Sequence, residues 1–574
     1  MDLKCPNAIN ACNFSISGLI DPSGAVLPSV LFNPPILGES LIKIGRFNFS
    51  IYNELDEFVP LKNLTISNND YSWPIPSISY SKYNLNAKIW APIAFNDIKI
   101  TSLPIIFAEF TSPNEFLIKM DFYAKTSSSL SHQMKYSIFV SKDGSEFTQE
   151  SSHEVLLKGN RSTIAFVVWH DNLYSCNFYN SASEMLNKLD IKDLLLKTQQ
   201  IEQYLPQVTD DHRILLNLEL VPAFSLTRII KSGELLTMGY CELNQRDSYW
   251  TSFVHLILFK KAEIKMINES CQGQLNTGKI PTTLLPLIER KYDIDITAYF
   301  VLRIVRFIRY YLDDCNSTEN SNKELLELAE KWYNHAKKAI EYLASLRDEK
   351  QVPYARDFWA DWKDVKGMNN RLYGPHFVLI TKAAVKEFNW LSSLLKKDSI
   401  EIEINCEPLW NGQFYQDVMR DGSSDGRFHE DQLICQLWNV CGKERYESML
   451  SYAEKIENKF GLPETFPFYP ANEFGYNVGE YHNGGIWPWL SFADAAARIA
   501  SGHRKSGEEL LLKVAKNNII SSGSLCSFEF NNGVTGSSGG NCIQGWNSCA
   551  ILPFSLCSDN PRNHFEKLLR EMSE

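Results

Sequence analysis

The chain carries no excess of positive charge, no long apolar run and no paired-cysteine motif, and each lack removes a class of function. Lys and Arg number 57 against 68 Asp and Glu, a formal net charge of -11. A nucleic-acid or anionic-membrane partner calls for a basic patch, so neither is expected. No run of about 18 apolar residues occurs, and a membrane-spanning helix needs about that many. The 13 cysteines, from Cys5, Cys12, Cys176 and Cys241 to Cys557, contain no CxxC pair and no Cys/His cluster at zinc spacing. An odd number of scattered thiols in a long chain fits a reducing compartment, so a cytoplasmic location is expected. The opening MDLKCPNAINACNFSISG has no apolar h-region and does not read as a secretory signal. Sequons such as Asn63-Leu64-Thr65 and Asn160-Arg161-Ser162 are then chance products of an Asn/Ser-rich sequence. No repeat of 20–50 residues is visible, which argues against a solenoid.

What is present is a globular composition, 44% hydrophobic and 22% charged, with 12% aromatics. At 574 residues the chain exceeds one ordinary core, so two domains are expected. Up to about residue 180 short apolar runs alternate with turn signals. Leu117–Ala124, Tyr136–Ser141 and Thr163–Trp169 read as strands, and Asp143-Gly144 and Gly159-Asn160 as turns. This is the pattern of an antiparallel β-sandwich. From Ser183 to Tyr204 the period becomes helical, with Met185, Leu186, Leu189, Leu194 and Leu195. The expected organisation is a β-sandwich over 1–180, a helical linker over 181–210 and a helical domain over 211–574.

Within that last domain Leu325, Leu328, Ala329, Trp332, Ala336, Ile340 and Leu343 recur at helical spacing. Further helical patterns lie near 250–270, 293–312, 376–396, 428–441, 445–460, 487–502 and 506–518. Tyr299–Leu312 is apolar but bears Arg303, Arg306 and Arg309 three apart, and reads as an amphipathic helix. The connections are long and rich in Gly, Trp, Asp and Asn, whereas tight bundles use short ones. A helical barrel with a loop-built site at one end accounts for both.

Four segments carry chemistry. In Asn244–Trp250, Arg246 and Asp247 supply a fixed donor fork and an acceptor beside Trp250; the plainer reading is an ion pair at a helix start. Trp359–Lys366 alternates Trp359 and Trp362 with Asp361 and Asp364, and a carboxyl held against indole can have a raised pKa and act as a general acid. Trp410–Gln432 contains Asp417, Asp421, Asp425 and Asp431, for which a calcium site is conceivable, but the spacing is not that of an EF-hand loop and Gly422 and Gly426 fit turns, so it reads mostly as a turn-rich excursion before a helix from about Phe428. The fourth runs Tyr481-His482-Asn483-Gly484-Gly485-Ile486-Trp487-Pro488-Trp489, followed by Phe528-Glu529-Phe530, a Gly/Ser loop and Gln544-Gly545-Trp546. Aromatic faces stack on pyranose rings, amides and imidazoles bond hydroxyls, and a carboxylate moves protons. That mixture suits a sugar site; the plainer reading is a Gly- and aromatic-rich structural corner.

The order of these motifs resembles that of inverting glycoside hydrolases with an (α/α)6 barrel, above all the amylo-α-1,6-glucosidase domain of glycogen debranching enzymes and its stand-alone microbial relatives. The likeness covers roughly residues 235–555. It implies an all-α (α/α)6 toroid after the β-sandwich, with Asp364 of Trp362-Lys363-Asp364 as general acid and Glu529 as general base. It also implies a substrate site of Arg246, Asp247, Trp250, Trp362, Tyr481, His482, Asn483, Trp487, Gln544 and Trp546. The Gly484-Gly485-Ile486 stretch resembles neutral invertases as well. The implied substrate is an oligosaccharide or glucoside, most naturally an α-glucoside, and the implied reaction needs neither metal nor organic cofactor. Asp361 is the reserve acid, and a retaining pair stays open. So do a sugar epimerase or isomerase using His482 and His376, and a non-catalytic carbohydrate-binding protein.

Overall fold

The computed structural model describes residues 9–12, 16–20, 26–30, 42–43, 45–61, 71–72, 74–124, 135–142, 146–169, 173–225, 227–229, 235–237, 244–284, 287–288, 293–312, 319–354, 361–363, 365, 370–520, 527–541, 544–558 and 564–573. The N-terminal region is sheet-rich and the remainder is helical.

Two long antiparallel strands, Ile105–Ala124 and Glu154–Trp169, organise the N-terminal region. Side chains alternate across a strand, and Ile118, Met120 and Phe122 accordingly face the core while Lys119, Asp121 and Tyr123 face outward. Phe47 locks this layer, its ring 4.6 Å from Phe122 and 4.8 Å from Phe166. Between Thr111 and Phe116 the register slips: Thr111 faces Arg161 and Phe116 faces Gly159. Pro113 cannot donate to a ladder, and Gly159 supplies the positive φ of 128° that the irregularity needs. Gly159-Asn160 thus runs inside a strand, opposite the extra residues 112–115 of its partner, and is not the turn its composition suggested. On one side of the slip Ile105–Ala124 also pairs with Leu85–Trp90, on the other with Gly45–Tyr52. Hydrogen bonding therefore joins 13 strands among the described residues in one sheet, where a sandwich has two. Asp143-Gly144 lies outside the described residues.

Short helices follow at Ala182–Asn187, Ile191–Gln199 and Gln200–Tyr204. The first two begin at the side-chain caps Ser181 and Asp190. The Ile93 amide donates to Thr198 Oγ1 (3.1 Å) and the Asn96 amide to the Leu258 carbonyl (2.8 Å), which ties sheet, linker and helical region together.

The helical region closes a ring. Gln245–Leu258 touches Asp295–Leu312, which touches Pro375–Leu394, then the 3₁₀ run Glu430–Trp438, then Pro488–Ala500, then Gly545–Ala550 with its continuation Ile551–Leu556, which returns to Gln245–Leu258. These six elements are buried almost throughout, as an inner ring must be. Lys260–Gly273, Glu319–Ser345, Lys443–Ile456 and Arg504–Ile520 alternate with them in sequence, bury one face only and pack outside. This is an α/α toroid. The terminal helix His564–Ser573 covers one end: Phe565 packs on Phe253 and Tyr310, and Lys386 Nζ donates to the Met572 and Trp438 carbonyls. Those contacts reach the C-terminal halves of the inner elements, so their N-terminal ends form the opposite face.

The arginine stripe of Asp295–Leu312 departs from the amphipathic expectation. Arg303, Arg306 and Arg309 are all buried. Arg303 forks onto Glu263 (2.8 and 2.7 Å), Arg306 reaches the same carboxylate (3.1 Å), and Arg309 pairs with Glu387 (2.8 Å). Periodicity places the charges on one face but does not say that this face meets other helices.

Candidate active site

The four inner elements that the terminal-helix contacts reach present their N-termini on the face away from that helix, and the motif residues cluster there. Unpaired amide groups at a helix start carry partial positive charge. The face therefore favours carboxylates and oxygen-rich ligands.

Asn244 caps Gln245–Leu258 by accepting from the Arg246 amide (3.1 Å). Arg246 turns back to fork onto Asp295 (2.8 and 2.8 Å) and to reach Asp293 (3.1 Å), which is itself held by Thr282 (2.9 Å). Burial opposes the charge of the guanidinium, but Asp295 and Asp293 outweigh it and raise its pKa well above the ordinary value. Burial also raises the Asp293 carboxyl, against the pull of Arg246. The expected Arg246–Asp247 pairing is replaced by these two acids, the Asp-x-Asp that opens the next inner helix. Asp247 is buried alongside.

Trp362 is the hub of an aromatic cluster. Its ring stands edge-on to His482 (4.7 Å), Trp487 (5.1 Å), Trp489 (5.0 Å) and Trp546 (6.4 Å). Trp489 also meets Trp250 (5.2 Å) and stacks on Trp546 (5.2 Å). His482 stacks on Trp487 at 4.8 Å and 13°. Tyr481 packs on His482, Trp487 and Phe530, and Tyr476 stacks on its outer side (4.9 Å). Burial runs from Trp489 at 0% exposure to Tyr476 at 38%, so the cluster extends from core to rim. The turn that makes this possible is glycine-dependent: Gly484 has φ +88°, and a Cβ there would lie 2.2 Å from the Phe468 ring. Asn483 has a backbone task, since its Oδ1 accepts from the Tyr469 amide (2.7 Å) and its Nδ2 donates to the Tyr469 and Tyr476 carbonyls (3.0 Å each).

Glu529 enters on a hairpin. Phe530–Asn531 pairs with Ser538–Gly539, and Asn531 bridges to Ile486 through two backbone hydrogen bonds of 2.8 Å. Glu529 Oε2 accepts from the Asn541 amide (3.0 Å) and Asn541 Nδ2 (3.3 Å). Glu529 is 6% exposed. Asn547, in the segment after Gln544 and Trp546, accepts from the Trp489 amide (3.1 Å) and donates to the Phe528 carbonyl (2.6 Å). Gln544 is buried at the start of its inner element. Trp250, Trp362, Tyr481, His482, Trp487, Trp546 and the Glu529 hairpin thus come together. Arg246 stands one turn before Trp250 on the same helix.

Asp364 lies outside the described residues. Its neighbours form a buried ionic network. Asp361 receives the Arg371 fork (3.0 and 3.0 Å), Lys363 pairs with Asp431, and the Trp362 indole N–H donates to the same Asp431 oxygen (2.9 Å). Burial would raise the Asp361 carboxyl, but Arg371 and Lys363 hold it well below the usual carboxylate range. A carboxyl held ionised is a poor proton donor, which counts against Asp361 as reserve acid. His376 is engaged at both ring nitrogens, Nδ1 with the Asp431 carbonyl (3.2 Å) and Nε2 with Tyr299 (3.1 Å).

Of the four aspartates in 410–432, the fold brings Asp417 and Asp425 to His429, their donor atoms within 4.8 Å. His429 Nε2 lies 3.2 Å from Asp417, and its other nitrogen faces Thr465 (3.0 Å) and Glu464 (3.5 Å). Burial lowers the imidazole pKa, but the Asp417 charge wins and lifts it to about 9. Arg371 beside Asp417 and Arg427 on Asp425 already supply positive charge. Asp417 and Asp425 thus each have a cationic neighbour besides His429. Asp421 is exposed and bonds Ser423, and Asp431 belongs to Lys363.

No family model and no curated protein matches the chain. Solved structures do. A bacterial glucoamylase determined in complex with acarbose aligns over 99% of this chain and 95% of its own, with a TM-score of 0.53 at 10% identity. The chain shares the glucoamylase fold. The alignment takes in the sheet-rich region as well as the toroid. A GH63 mannosylglycerate hydrolase from Thermus thermophilus, in complex with Tris, aligns over 55% of this chain and 94% of its own, with a TM-score of 0.45 at 14% identity.

Proposed function

We propose that the chain is a glycoside hydrolase that cleaves an α-glucoside with inversion, and that it is akin to amylo-α-1,6-glucosidases. Asp364 gives its proton to the leaving oxygen as the C1–O bond breaks. Glu529 takes a proton from the water whose oxygen bonds C1 on the opposite face. An inverting pair stands roughly 6.5–9.5 Å apart to admit that water. Neither metal nor organic cofactor enters this chemistry. Arg246, Asp247, Trp250, Trp362, Tyr481, His482, Trp487, Gln544 and Trp546 are proposed to shape the sugar site, with Asn483 holding its loop.

The observation that carries the reading is the Glu529 hairpin bonded to Ile486 beside the Trp362–His482–Trp487 cluster, at the positive ends of inner elements. The full-length likeness to a glucoamylase agrees with it. The occupied ring nitrogens of His376 disfavour an epimerase that would use it for proton transfer. We further infer three units, a β-sandwich domain over 1–180, a helical linker over 181–210 and the toroid over 211–574. Free buried thiols such as Cys271, Cys435 and Cys549 suit work in the cytoplasm.

Incubation with maltose, isomaltose, trehalose, sucrose and limit dextrin tests the activity. Glucose release from at least one is expected, and inertness toward all five together with aryl α-glucosides overturns the reading. Aryl glycosides, which need little acid assistance, should partly spare Asp364→Asn but not Glu529→Gln.

A further inference from the structure

Glu219 sits on the helix Asp210–Ser225, fully buried and 308 residues before Ser527. Its Oε2 accepts from Ser527 Oγ and its Oε1 from Asn518 Nδ2 (3.1 Å). Ser527 Oγ in turn accepts from Asn547 Nδ2 (2.9 Å). The two amides then close on one residue: Asn518 Oδ1 accepts from the Phe528 amide (3.0 Å) and Asn547 Nδ2 donates to the Phe528 carbonyl (2.6 Å). Phe528 immediately precedes Glu529. Among the described residues no basic side chain pairs with Glu219.

We propose that Glu219 is a positioning residue for Glu529. Through Ser527, Asn518 and Asn547 it fixes both backbone polar groups of Phe528, and so the direction in which the next carboxylate leaves the chain. Asn541 fixes that carboxylate from its other side. The proposal rests on the hydrolase reading, in which Glu529 must aim at a water, and an error of an ångström in such a group costs about 10²-fold. A carboxyl suits the task because one planar group offers an oxygen to the serine and another to the asparagine. Burial pushes it up to about 8, and glutamine keeps one oxygen for Asn518 while its amide nitrogen can donate to Ser527 Oγ.

The test compares kcat and KM of the full chain as wild type, Glu219→Gln, Glu219→Ala and Ser527→Ala, on a glycoside that the wild type hydrolyses. Glu219→Ala and Ser527→Ala should lower kcat by about ten- to hundredfold with KM within about twofold. Glu219→Gln should restore most of it. If Glu219→Ala does not fold, Ser527→Ala, which removes one hydroxyl, decides by itself. Folded variants with unchanged kcat, or with the loss in KM alone, overturn the positioning role while leaving the hydrolase reading intact. A wild type inert on every glycoside overturns that reading and this proposal together.

Discussion

Ile486 and Asn531 exchange both backbone hydrogen bonds, N–H to carbonyl at 2.8 Å in each direction. That single bridge fastens the Glu529 hairpin to the segment carrying His482 and Trp487, just before the inner helix Pro488–Ala500. The Gly533 amide adds a bond to the Gly479 carbonyl (2.8 Å). A Cβ on Gly533 would lie 2.0 Å from the Gly484 carbonyl oxygen. Gly533→Ala should therefore push the two segments apart and lower kcat more than it lowers the melting temperature. Paired kinetics and thermal melts check this.

Glu529→Gln keeps an oxygen for Asn541 but cannot take a proton from water. The expected loss in kcat is about 10²–10⁴-fold with substrate binding retained. Single-turnover kinetics and calorimetric titration of the variant measure the two separately.

Asn483→Ala removes three bonds to the backbone of Tyr469 and Tyr476. Loss of about 2–4 kcal/mol is expected, because the backbone groups stay behind without partners. Asn483→Asp keeps the acceptor but turns a carboxylate oxygen toward the Tyr469 and Tyr476 carbonyls in a buried site, so it should lose at least as much. Urea denaturation ranks the two.

Glu263 pairs with both Arg303 and Arg306 in the barrel wall. Breaking a buried pair leaves an uncompensated charge and costs about 3–5 kcal/mol. Glu263→Ala should destabilise by that order, while replacing Glu263, Arg303 and Arg306 together with apolar residues should recover much of it. Thermal melts of the single and triple variants check the sign.

Glu219 gives a pH-dependent prediction. Its folded pKa lies near 8, above the ordinary 4.5, so the folded state keeps a proton that the unfolded state releases. Stability from this group is full below about pH 4.5, falls as pH rises toward 8 and is level beyond it, a change of about 5 kcal/mol. Glu219→Gln should flatten that slope, and the difference in denaturation free energy between variant and wild type across pH 5–9 measures it.

The switch from period 2 to period 3.6 near Ser183 placed sheet and helix correctly, because burial of one face imposes those periods directly. The aromatic convergence of Trp362, His482, Trp487 and Trp546 was also legible, since each lies next to a turn-forming or helix-starting residue. Pairings across long separations were not. Arg246 chooses Asp293 and Asp295 over adjacent Asp247, although the Asp-x-Asp before an apolar helix was a visible signal. Arg303, Arg306 and Arg309 mark one helical face, but only packing shows that Glu263 and Glu387 meet it. Glu219 had no local signal at all, because its value comes from reaching Ser527 and Asn518. The 428–441 helix is instead a strand pair and a 3₁₀ run, its charged Glu430 and Asp431 drawn inward to partners on other elements.

The most direct test of the central claim is ¹H NMR of the first sugar released from an α-glucoside, read before mutarotation. Inversion gives the β anomer from the wild type, and Glu529→Gln gives none. The α anomer appearing first would contradict inversion and recast Glu529 as a nucleophile, and undiminished release by Glu529→Gln would remove it from the chemistry altogether.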